Sequence, residues 1–191
     1  MSIHQTPLAS STPATNKTRR KAMVGTAAGL LFFALVAGLV LGALWGAFRP
    51  AYVGDITDGM FIANETESPR NVEFSSFASY ILITGVLGIV VAMVAYLKVG
   101  HAAGVGMLIW VGIVAFAATF AFYVFGNIVT GWVHPYPDPS GGDVTGAHIV
   151  PPMSPGVGWA VAPLLAVLTY WIQAIVSSPD PEPEPLPGRT I

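Results

Sequence analysis

In this chain of 191 residues, 53% are hydrophobic and only 9% are charged. With a mean hydropathy of +0.65, it departs from soluble proteins, in which about 25% of residues are charged. That length accommodates one small bundle of membrane spans and excludes a large soluble domain beside it. The net charge of −2 offers no basic footprint for nucleic acid, and the absence of cysteine excludes disulfides, thiolate catalysis and iron–sulfur ligation.

Residues Met1 to Thr18 are rich in Ser, Thr, Pro and Ala without hydrophobic periodicity, and read as the disordered part of a basic tail over 1–21. Lys17, Arg19, Arg20 and Lys21 precede an uncharged apolar run over 22–48, long enough at 1.5 Å per residue to cross a core about 30 Å thick. This run exceeds the length of a signal-peptide core and has no clear cleavage site, so it is expected to stay on the chain. Further spans are expected at about 77–97, 102–129 and 157–176. The second and third are separated by so few residues that they must form a tight helical hairpin. Trp159, Tyr170 and Trp171 lie near the ends of the last span, where amphipathic rings suit the membrane–water interface. The tail over 177–191 is acidic and nearly alternate proline, which favours extended polyproline II.

These runs predict an all-α integral membrane four-helix bundle over 22–176. With a cytoplasmic N-terminus, Lys17, Arg19, Arg20, Lys21, Lys98 and Arg189 fall on the cytoplasmic side, against Arg49 and Arg70 outside. The positive-inside rule therefore places both termini in the cytoplasm of a plasma-membrane protein, with the long loops over 49–76 and 130–156 external.

No ionisable residue falls inside the expected spans, which argues against a proton pump or ion-coupled carrier. Thr26, Thr84, Thr119, Asn127 and Gln173 are the polar candidates there, most of them read as interhelical glue. His4, His101, His134 and His148 all lie outside the spans, so no intrinsic haem is expected. His134, Asp138, Asp143 and His148 carry suitable donors for a divalent metal, but their spacing matches no strong motif, and a rigid proline-rich surface loop is the preferred reading. Neither metal, cofactor nor catalytic constellation is expected, and the chain does not read as an enzyme. Asn64-Glu65-Thr66 matches the N-glycosylation sequon.

Gly38, Gly42 and Gly46 recur every fourth residue along one face of the first span, with Gly25 and Gly29 as a second pair. Such a face lets another helix approach closely, and it fits either packing inside the monomer or an interface with a partner subunit.

Through Leu41-Gly-Ala-Leu-Trp-Gly-Ala-Phe-Arg-Pro50, the acidic loop that follows, and Tyr80-Ile-Leu-Ile-Thr-Gly-Val-Leu-Gly-Ile89, the chain resembles actinobacterial four-span membrane proteins of unknown function. In size and span layout it is also similar to small accessory subunits of the actinobacterial cytochrome bcc–aa3 respiratory supercomplex. That resemblance implies a non-catalytic accessory or assembly subunit surrounded by membrane lipids, whose partners are integral membrane subunits of the cytochrome bc and oxidase type. The residues leave open two alternatives, a small oligomeric transporter or channel-like protein and an envelope-biogenesis membrane protein.

Overall fold

The structure is a computed structural model that describes residues 14–99, 104–137 and 142–177. The start of the N-terminal tail, the connection over 100–103, Asp138 and the proline-rich tail beyond 177 lie outside the described residues. Four helices dominate: α1 (Ala14–Ala47), α2 (Val72–Val99), α3 (Val105–Val133) and α4 (Val161–Val176), the last preceded by a 3-10 turn over Gly156–Ala160. Each contributes a segment long and apolar enough to cross a membrane: Met23–Ala47, Val72–Lys98, Val105–Val133 and Gly156–Val176.

Helix boundaries extend beyond the expected spans. Backbone helix begins at Ala14, within the segment read from sequence as a tail. Once a helix is nucleated by the apolar run, adding Ala, Lys and Arg costs little. Likewise α2 begins five residues before Phe77, and α3 continues to Val133.

Packing follows parallel pairs. A Cβ placed on Gly38, Gly42 or Gly46 of α1 would collide with the backbone of Ala118, Phe122 or Gly126 of α3 respectively. Both series ascend together, so α1 and α3 run parallel along a seam where side chains are absent. On the other side of the bundle, a Cβ on Gly88 of α2 would collide with the Ala162 backbone of α4, and Tyr96 meets Tyr170 with ring centroids 6.1 Å apart. These contacts make α2 and α4 a second parallel pair. Leu30, Ala34, Val91, Ala95, Val111, Ala115, Ala118 and Ala166 fill the core between the pairs. Small residues dominate because dispersion between closely approaching backbones drives association where lipid is as apolar as the core.

The expectation of an all-α chain needs one correction, because the two long loops form a three-stranded antiparallel sheet, β2–β1–β3. Its strands are β1 (Tyr52–Thr57), β2 (Met60–Ala63) and β3 (Val144–Ile149). Asp58 and Gly59 connect β1 to β2 with φ of 51° and 75°, the left-handed pair that a two-residue hairpin requires. The sheet gathers segments about 90 residues apart at one end of the bundle, where α1 ends and α2 starts.

Candidate functional site

At the sheet-bearing end, α1 runs out into Arg49, whose side chain is 4% exposed. Its guanidinium donates to the Pro151 carbonyl at 2.5 Å and to Asn127 Oδ1 at 3.3 Å, and its Cζ lies 5.1 Å from the centroid of the Trp45 ring. Asn127 is engaged on both sides of its amide, since Nδ2 donates to the Tyr123 carbonyl at 2.9 Å. Burial pushes the Arg49 guanidinium below its ordinary value, and the neighbouring Tyr123 opposes that shift. An arginine nevertheless remains a cation at every accessible pH, so Arg49 acts as a permanent clamp.

The clamped segment is a strap over 150–155, between β3 and the 3-10 turn. Tyr123 Oη donates to the Met153 carbonyl at 2.7 Å, a second tie from α3 to the same strap. Below it lies an aromatic cluster. Trp45, Tyr80 and Phe122 meet with centroids 5.4–6.1 Å apart, and Trp159 stands against Tyr123 at 5.2 Å and Phe120 at 5.9 Å. Trp45 Nε1 donates to Ser79 Oγ at 3.0 Å. Arg49 and Tyr123 thus tie the strap to the bundle, the Trp45–Ser79 bond joins α1 to α2, and the buried Ser76 and Tyr80 hydroxyls are without a partner.

Two of the polar residues read as interhelical glue bond within their own helices instead, whereas Asn127 accepts from Arg49 beyond the end of α1. Thr84 and Thr119 donate to Tyr80 and Ala115, the carbonyls four residues back on their own helices, at 2.7 and 2.9 Å. A hydroxyl that does join helices belongs to Thr130, which donates to Gly46 of α1 at 3.0 Å and to Gly126 of its own helix at 2.9 Å. The sequence places Thr130 one helical turn after Gly126, but the approach of Gly126 to Gly46 that supplies the acceptor on α1 is a tertiary contact. The Gly38, Gly42 and Gly46 stripe is occupied by α3 within the monomer, whereas no atom lies within 4 Å of a Cβ placed on Gly25 or Gly29.

In the second loop, His134 at the end of α3 and His148 on β3 stand with ring centroids 6.4 Å apart. They border a cavity of about 440 Å³ with Val133, Pro135, Pro137 and Ala147. Asp143 lies at the other end of the sheet, where Oδ1 accepts from the Asp58 backbone N–H at 3.3 Å. Among the described residues no three His, Cys, Asp or Glu side chains gather as a metal-binding group. The sequon asparagine, Asn64, turns its side-chain carbonyl onto the backbone N–H of Thr66 at 3.1 Å and onto the Thr66 hydroxyl.

No protein-family model, curated protein or solved structure matches the chain.

Proposed function

We propose that this chain is a non-catalytic accessory or assembly subunit of a larger membrane complex, with its termini in the cytoplasm and its sheet on the external face of the plasma membrane. The single observation that supports this reading is the edge strand β2. It pairs with β1, and it presents Met60 and Ile62 at 67% and 61% exposure on one side of the sheet. An edge strand with bare apolar side chains is a ready surface for another polypeptide, and an isolated protein ordinarily blunts such an edge with charge. The strap and Arg49 hold the sheet on the bundle, so the surface is presented rigidly. The orientation rests on the basic asymmetry between the two sides. The resemblance to accessory subunits of the bcc–aa3 supercomplex makes cytochrome bc and oxidase subunits the first partners to seek.

Purification in mild detergent followed by native gel and mass spectrometry tests the proposal. The expected result is stoichiometric recovery of oxidase and cytochrome bc subunits with the wild-type chain. Ile62→Lys should then reduce that recovery while leaving thermal stability unchanged. A wild-type chain recovered alone would overturn the subunit reading, and unchanged recovery with Ile62→Lys would remove β2 as its docking edge.

A further inference from the structure

Independently of the subunit reading, we propose that His134 and His148 form a two-imidazole clamp for a divalent transition-metal ion, open to solvent on its remaining coordination positions. The fold brings these residues together from two different elements. His134 caps α3, its backbone N–H donating to the Thr130 carbonyl at 2.8 Å, and His148 is fixed in β3 opposite Val53 of β1. Pro135 and Pro137 line the same cavity, and their locked φ angles limit how far the chain leaving His134 can wander. The two backbones are therefore placed before any ion arrives.

The spacing is suitable. With metal–nitrogen bonds of about 2.0–2.1 Å, the centroid of a ligating imidazole lies roughly 3.2 Å from the ion, so two rings on one ion have centroids roughly 5–6.4 Å apart as the angle opens from tetrahedral to linear. The observed 6.4 Å stands at the upper end of that range, and closing it toward the tetrahedral value requires the two side chains to rotate toward each other. His134 Nδ1 is out of solvent and lacks a hydrogen-bond partner, while the His148 side chain is exposed. A buried ring nitrogen with nothing to bond is unusual enough to require an account, and a metal-ligating imidazole supplies one. Imidazole ligands suit Cu²⁺, Ni²⁺ and Zn²⁺, and the general affinity order places Cu²⁺ first. With two protein ligands, water completes the coordination shell, so the ion remains accessible.

The test uses the full-length chain in detergent with Cu²⁺ as the probe, in a His4→Ala, His101→Ala background that removes the two other histidines. Equilibrium dialysis should give one Cu²⁺ per chain, and the electron paramagnetic resonance spectrum should show hyperfine coupling to two imidazole nitrogens. His148→Ala, at an exposed position that leaves the fold intact, should weaken binding at least tenfold and remove one of the two couplings. His134→Ala should do the same, with thermal stability measured to show that the end of α3 has survived. Absence of stoichiometric Cu²⁺ in the background chain, or unchanged affinity and spectrum in His148→Ala, would overturn the proposal.

Discussion

Arg49 illustrates how a single side chain can be misjudged by type. Counted as a charge on a loop, it contributes to orientation. In the folded chain it is a buried cation whose two terminal nitrogens donate to neutral groups, the Pro151 carbonyl and the Asn127 amide oxygen, with Trp45 beneath it and Nε left without a partner. Its planar fork can reach two acceptors at once, which an ammonium cannot do with the same geometry. Arg49→Met should therefore leave the Pro151 carbonyl unpaired, at a cost of about 1–3 kcal/mol. Hydrogen exchange should accelerate over 144–155, and Arg49→Lys should restore only part of the protection. Equal exchange in the wild-type and Met variants would show that the strap is held by other contacts. Because the guanidinium stays charged, this stabilisation should not vary across the accessible pH range.

Among the elements, α1 carries two sets of glycines of similar spacing and different consequence, Gly38, Gly42 and Gly46 in one and Gly25 and Gly29 in the other. Gly42 lies so close to α3 that a Cβ would stand 2.8 Å from Phe122 Cα, and the obstruction is backbone. Gly29 faces open space at the other end of the helix. Gly42→Ala should lower stability in detergent by about 1–3 kcal/mol through overpacking, whereas Gly29→Ala should remain within about 0.5 kcal/mol of wild type. Thermal melts of the two variants check this directly, and equal melting temperatures would mean that the α1–α3 seam opens without loss. The sheet adds an element that the apolar runs do not announce, although Asp58-Gly59 is the strongest short hairpin signal in the loop. It is flanked by Gly54, Asp55, Ile56 and Thr57 on one side and Met60, Phe61 and Ile62 on the other, an imperfect alternation that is easily passed over beside four long hydrophobic segments.

For the whole molecule, two parallel helix pairs place the ends of α1 and α3 together with the starts of α2 and α4 on the side that carries the sheet. Every described acidic residue lies on this sheet-bearing side: Asp55, Asp58, Glu65, Glu67, Glu73 and Asp143. Lys98 lies at the opposite end, next to the groove formed by Thr26, Gly29, Leu30, Phe33 and Val94. If the basic side is cytoplasmic, a thiol probe unable to cross the membrane should modify Glu65→Cys in intact cells and should modify Ser10→Cys only after permeabilisation. The reverse pattern would invert the proposed orientation.

Length and hydrophobicity by themselves determined that four helices can cross a membrane, because spanning requires only a sustained apolar run and satisfied backbone hydrogen bonds. Periodicity also singled out Gly38, Gly42 and Gly46 as positions of close approach. Which helix approaches them was decided only by the tertiary structure, since an absent side chain identifies no partner and α3, α2 or another subunit would satisfy the same pattern. The sheet, the burial of Arg49 and the meeting of His134 with His148 belong to the same class. Each depends on contacts between segments far apart in the chain, whose energy exists only once both sides have been placed, and no local propensity at either segment carries that information.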